Sequence, residues 1–105
     1  MEHPNLSYIN KLSGGDQAFK EKLISIINVE FPEEKDVYFK NIENNNFKEA
    51  ASNVHKLKHK ISILGLEKSY EVAVDFENNL LEGNTEKKQE FDNILQIMTD
   101  FLASL

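Results

Sequence analysis

The sequence predicts an all-α fold, an antiparallel up-and-down four-helix bundle preceded by a short N-terminal helix. Three observations lead there. Gly14-Gly15, Pro32, Asn44-Asn45-Asn46, Gly65 and Gly83-Asn84 punctuate the 105 residues into stretches of helical length. Within those stretches apolar residues recur at intervals of three and four, and no stretch alternates like a strand for long. The connections are short, which favours antiparallel neighbours. With 40% hydrophobic residues and no internal repeat or low-complexity tract, residues 1 to 105 form a single domain around one core.

Each element has its own signal. A short helix covers Leu6 to Leu12 and stops before Gly14. Asp16 is placed to cap a second helix whose inward side carries Phe19, Leu23, Ile26 and Ile27. Pro32 cannot donate to the helical ladder, so it either kinks this helix or opens a new one at its first position, with Tyr38 and Ile42 continuing inward. From about Phe47 to Leu64, the residues Phe47, Ala50, Val54, Leu57, Ile61 and Leu64 make a narrow seam. Leu66 to Leu81 offers Tyr70, Ala73, Phe76 and Leu80. The last helix, with Thr85 as its expected cap, offers Phe91, Ile94, Leu95, Met98, Phe101, Leu102 and Leu105.

Composition removes several classes of function. With no cysteine, disulfides, thiolate catalysis and cysteine-ligated zinc are excluded, and the redox compartment stays open with a lean to the cytosol. No segment approaches the roughly 20 consecutive apolar residues of a membrane span, and the N-terminus does not read as a signal peptide, so a cytoplasmic protein is expected. Met1 and the compact length suggest a freestanding protein, with a domain cut from a larger protein as the alternative. The formal net charge is -6, and all twelve basic residues are lysine. A nucleic-acid binder is usually basic and uses arginine forks, so DNA and RNA are not expected partners.

The charge is unevenly distributed. Residues 1 to 46 carry eight acids against five lysines, residues 47 to 65 one against four, and residues 66 to 105 nine against three. A local basic patch on an acidic body points to a small anionic group or an acidic partner surface. Its centre is HKLKHKISILG, His55 to Gly65, with two histidines four residues apart, three lysines and no carboxylate. At about 100° per residue, His55 lies well round the helix from the Val54, Leu57, Ile61 seam and His59 points almost directly away from it. Lys48, Ser52 and Ser62 share the outward sector, and Lys58 sits on its flank one turn from His55.

A solvated face rich in Lys and His is the plainest reading of this pattern, and three functional readings compete with it. Histidines at i and i+4 can share a metal ion, but no glutamate of an HExxH motif lies between them, the lysines repel a cation and no third ligand is evident. General acid–base catalysis needs a cleft, and the sequence has neither a phosphate-binding glycine loop nor a nucleophile elbow. The third reading makes an exposed imidazole nitrogen a phosphoryl carrier. Neighbouring ammonium groups favour the neutral, nucleophilic ring, and Lys58 would lie against the phosphoryl oxygens while small Ser62 leaves space.

The segment VHKLKHKISILG resembles the histidine-containing phosphotransfer (HPt) domain of multistep two-component phosphorelays. That family's pattern is a histidine, any residue, an apolar residue, Lys, usually Gly, and a Leu-Gly or similar pair about ten positions on. His55, Leu57, Lys58, Leu64 and Gly65 occupy the corresponding places, and Ser62 suits a position usually held by a small residue. SGGD-x-x-F from Ser13 to Phe19 and LEKSYEVAVDFENNLLEG are also similar to the start of the first long helix and to the helix after the histidine, so the resemblance spans about Leu6 to Leu102.

The resemblance implies that His55 accepts a phosphoryl group, through Nε2, from the aspartyl phosphate of a receiver domain and passes it to another receiver. Lys58 is then the electrostatic stabiliser. The partners are the receiver domains of a hybrid histidine kinase and a response regulator, and Mg²⁺ and the acidic pocket belong to the receiver. The chain itself has no intrinsic cofactor and no autonomous kinase activity, and is expected to be a monomer. His59 stands where the family usually has Gly, which implies slower transfer, narrower partner choice or a changed docking angle. A bundle that docks receivers without transfer therefore remains the alternative. Ile63, apolar and predicted outward beside His59, joins Lys48, Ser52, His59 and Ser62 as a candidate docking residue. His3 is expected to be inert, Glu77 to make a structural hydrogen bond, and Asn44 to Asn46 to form a loop and cap.

Overall fold

The computed structural model describes residues 2 to 105. It contains α1 (Ser7–Ser13), α2 (Gln17–Glu43), α3 (Phe47–Ile63), α4 (Glu67–Leu81) and α5 (Lys88–Ala103), and no strand among the described residues. α3 packs between α2 and α4, α4 packs against α5, and α1 lies on α2. Side chains close the remaining side. The Tyr38 hydroxyl of α2 donates to Asp92 Oδ1 of α5 at 2.8 Å, and Lys35 Nζ donates to Thr99 Oγ1 at 2.9 Å.

The Asp16 cap forms as expected, its Oδ1 accepting from the Phe19 N–H at 3.1 Å. α2 then runs unbroken through Pro32 for 27 residues. At a rise of about 1.5 Å per residue that is roughly 40 Å, close to the 44 Å long axis of the molecule. Pro32 neither ends nor restarts the helix. Its fixed φ suits a helix, and the carbonyl it deprives of a partner belongs to Asn28, an exposed residue that water can reach.

Two apolar residues of α2 depart from the predicted inward set. Phe19 and Ile26 are each 43% exposed, whereas Ile27, Phe31, Tyr38 and Ile42 are buried. The buried four define one seam, and Phe19 and Ile26 fall about 110° and 130° from its centre. The predicted α3 seam is buried from Ala50 to Leu64, with Phe47 half-buried at its start. Asn53 is buried beside it and accepts a hydrogen bond from Asn41 Nδ2 at 2.6 Å.

α4 and α5 meet α2 through an aromatic cluster. Ring centroids of Tyr38 and Phe91 are 5.2 Å apart, those of Phe76 and Phe91 5.2 Å, and those of Tyr38 and Phe76 6.2 Å. Thr85 does not cap α5. The helix starts later, at Lys88, and Thr85 contributes only its carbonyl, which accepts from the Lys88 N–H. Leu105 lies beyond the helix end and is exposed, not inward as expected.

The turn from α3 to α4 is tied to the N-terminus. Leu64 C=O accepts from the Asn5 N–H at 2.8 Å, and the Glu2 carboxylate accepts from the Lys68 and Ser69 N–H groups at 2.8 and 3.0 Å. Those amides belong to the first turn of α4 and have no intrahelical partner. Gly65 is required by its φ of 77°, and a Cβ there would also stand 2.6 Å from the exposed Asn5 side chain, which would have to turn aside.

Candidate functional site

The basic face of α3 is built by its neighbours. Burial of Leu57 and Ile61 fixes the rotation of α3 and turns His55 outward, leaving its side chain 54% exposed. Burial of Ala73, Phe76 and Leu80 fixes the rotation of α4 and brings Glu77, one residue past Phe76, to the α3–α4 edge. There Glu77 Oε2 lies 3.2 Å from His55 Nδ1, and Glu77 Oε1 accepts from Lys58 Nζ at 3.0 Å. One carboxylate thus holds both residues that the sequence singled out.

This arrangement sets the chemistry of the ring. A carboxylate can only accept, so Nδ1 carries the proton donated to Glu77, and in the neutral ring the lone pair is on Nε2. Lys58 is largely buried along its stem, and its ammonium also lies 5.8 Å from the centroid of Tyr70, two turns before Glu77 on α4.

The other lysines diverge. Lys60 turns toward α2, where its ammonium donates to Glu30 Oε1 at 2.8 Å and Glu34 Oε2 at 3.3 Å. Burial works against its charge, but the hydrogen bond to Glu30 and the charge of Glu34 outweigh that and hold the ammonium above its ordinary pKa of 10.5. Lys56 remains exposed. The absence of carboxylates from HKLKHKISILG is therefore made good in space, by Glu77 on one side and Glu30 and Glu34 on the other.

His59 is exposed, its ring centroid 5.2 Å from that of His55 and the two planes at 88°. Lys48, Ser52 and Ser62 are exposed on the same helix, as expected. Ile63 departs from expectation. It is half-buried and packs against the core at the end of α3, so it offers less outward surface than its helical angle predicts.

An open groove of about 580 Å³ runs between α1 and the α3–α4 turn. It is lined by Lys11, Ser62 and Tyr70 among others, but by neither His55 nor His59. Among the described residues no group of three or more His, Asp or Glu side chains is disposed to hold a metal ion, and no helix is long and apolar enough to cross a membrane.

Glu77, expected from sequence to make a structural hydrogen bond, makes two, and both go to the residues singled out on α3. Its signal was its position beside Phe76 in the α4 stripe, at the edge of the buried face. What the stripe could not give is which residue of α3 it meets. No family model, curated protein or solved structure matches the chain.

Proposed function

We propose that this protein is a phosphohistidine carrier of the HPt type, taking a phosphoryl group from the aspartyl phosphate of one receiver domain and donating it to another. The observation that carries the reading is the water-facing His55 ring tied through Nδ1 to Glu77, which leaves Nε2 as the free nucleophile. In the transfer step the Nε2 lone pair forms the N–P bond as the bond from phosphorus to the aspartyl oxygen breaks, and the carboxylate leaves. No proton has to move. The ring becomes cationic, with its Nδ1–H still donated to Glu77, and Lys58 lies one turn away to offset the phosphoryl charge.

Positioning and charge compensation are the main catalytic contributions in phosphoryl transfer, and the receiver supplies its acidic pocket and Mg²⁺. The chain acts as substrate and carrier, without kinase activity of its own, as a cytoplasmic monomer exposing one face to two partners in turn.

The architecture in this reading is an antiparallel up-and-down four-helix bundle behind a short α1. Its support is the order of cross-helix pairs. Residues 34 and 41 of α2 pair with 60 and 53 of α3, residues 58 and 55 of α3 meet 70 and 77 of α4, and residues 35 and 38 of α2 reach 99 and 92 of α5. In each case one number rises as the other falls.

The alternative, a bundle that docks receivers without transfer, is favoured by one observation, the bulk of His59 within 5.2 Å of the His55 ring. Incubation with a pre-phosphorylated receiver and Mg²⁺ separates the two. An acid-labile adduct on the wild type and on His59→Gln, but not on His55→Gln, supports the carrier. Receiver binding with no adduct on any variant establishes the docking module instead.

A further inference from the structure

His59 is placed to do more than obstruct. Its ring stands edge-to-face with His55 at 5.2 Å between centroids, one helical turn on, and both are open to water. Two of the three nearby lysines are already engaged, and the third, exposed Lys56, lies on the α2 side of α3 beside Glu30, Glu33 and Glu34. Lys58 is bound to Glu77 and Lys60 to Glu30 and Glu34, whereas among the described residues His59 has no carboxylate partner. A phosphoryl group on His55 Nε2 brings about two negative charges to this spot, with Lys58 shared and Glu77 repelling.

We propose that His59 is a second phosphoryl-binding group, taking up a proton when His55 is phosphorylated and so making the lifetime of the phosphohistidine depend on pH near neutrality. The inference rests on the carrier reading. Imidazole is the side chain that changes charge between about pH 5 and 8, and an adjacent dianion favours its protonated form. The charged groups flanking this face are His55, Lys56, Lys58 and Lys60 on α3 itself, Glu77 of α4 against His55 and Lys58, Glu67 and Glu71 of α4 and Lys11 of α1 beside Ser62, and Glu30, Glu33 and Glu34 of α2 beside Lys56 and Lys60. Of these, Glu77, Glu30 and Glu34 are held by the α3 side chains just named. The protonated ring donates N–H groups to the phosphoryl oxygens, adding a contact that glycine at this position cannot make.

The test phosphorylates the full chain with phosphoramidate, in which the imidazole nitrogen forms the N–P bond and ammonia leaves, so that no receiver is needed. Ring resonances of His59 are followed by ¹⁵N NMR against pH, and adduct lifetimes are compared with those of His59→Gln and His59→Lys. Phosphorylation of His55 is expected to raise the His59 titration midpoint by about half a pH unit. The wild-type adduct should outlive that of His59→Gln roughly threefold at pH 6 and equal it at pH 8.5, while His59→Lys prolongs it at both.

An adduct on His55 with an unmoved His59 midpoint and lifetimes equal in all variants overturns this proposal and leaves the carrier intact. An adduct on His59 itself overturns the supporting role. No adduct on His55 from phosphoramidate or receiver overturns both.

Discussion

Glu77 decides how His55 and Lys58 behave, because its two oxygens serve one each. Its substitutions separate hydrogen bonding from charge. Glu77→Gln keeps an oxygen to accept from Nδ1 while releasing Lys58 from its ion pair, so phosphoryl acceptance from a receiver should match or exceed the wild-type rate. Glu77→Ala removes the acceptor and lets the ring take the tautomer with the proton on Nε2. The loss of one hydrogen bond, about 1.4 kcal/mol, corresponds to a roughly tenfold slower transfer. Rates from rapid-quench assays and the His55 tautomer from ¹⁵N shifts check this, and equal rates for the Gln and Ala variants would show that the hydrogen bond to Nδ1 does not control transfer.

Lys60 tests the same face from the other side. Glu34 Oε1 is buried without a partner, so the ammonium on its sister oxygen is the group that compensates this carboxylate. Lys60→Met should cost about 1–3 kcal/mol at pH 7 in urea titrations. The ammonium is held above 10.5, so its contribution is fully present below that pH and fades as pH rises through the raised value. On the alkaline side the gap between wild type and variant should therefore narrow only above pH 10.5, and a gap that closes between neutrality and that pH would disprove the assignment.

At the scale of elements, helix existence was legible and helix rotation only partly so. The α3 seam could be read because its steps of three and four have no competitor. In α2 Ile26 and Ile27 are adjacent and chemically equal, and only the partner helices decide which is inside. Ile27→Ala should therefore cost about 2–5 kcal/mol and Ile26→Ala much less, within about 0.5–1 kcal/mol, in chemical denaturation. Similar losses at both would return α2 to the broader inward face predicted from sequence. The Thr85 expectation failed for a related reason. A capping residue type marks a turn, but the chain uses a further turn before α5 begins.

The α3–α4 corner also drew on a residue no local pattern reveals, since Glu2 is 66 positions from the Lys68 amide it accepts from. Burial opposes the ionised form of Glu2, but the Lys68 and Ser69 N–H groups outweigh that and hold its pKa below the ordinary 4.5. A depressed carboxyl stabilises the fold above its unfolded value, so this contribution is whole above pH 4.5 and is lost as pH falls through the lowered value. Glu2→Gln should reduce stability by about 0.5–1 kcal/mol at pH 7. Hydrogen exchange at the Lys68 and Ser69 amides should be faster in the variant, and unchanged exchange there would rule out the cap.

For the molecule as a whole, the core and the site are one construction. Tyr38, Phe76 and Phe91 join three helices in mutual ring contact, and Phe76 is fully buried immediately before Glu77. The sequence displayed His55 and Lys58 openly because a motif lies within one helix. It left Glu77 ambiguous because a site shared between helices depends on how their buried stripes dock. Truncating Phe76 should therefore injure both levels. Phe76→Ala is expected to cost about 3–5 kcal/mol in urea titrations and, because α4 loses the anchor that sets its rotation, to loosen the Glu77 bond to Nδ1 in the molecules that remain folded. The tautomer signal of His55 should then move toward that of Glu77→Ala even in conditions where the far-ultraviolet helical signal is unchanged. A destabilised variant with the wild-type tautomer would show instead that α4 is held in register by its turn and by Glu2, and that the aromatic cluster supplies stability alone.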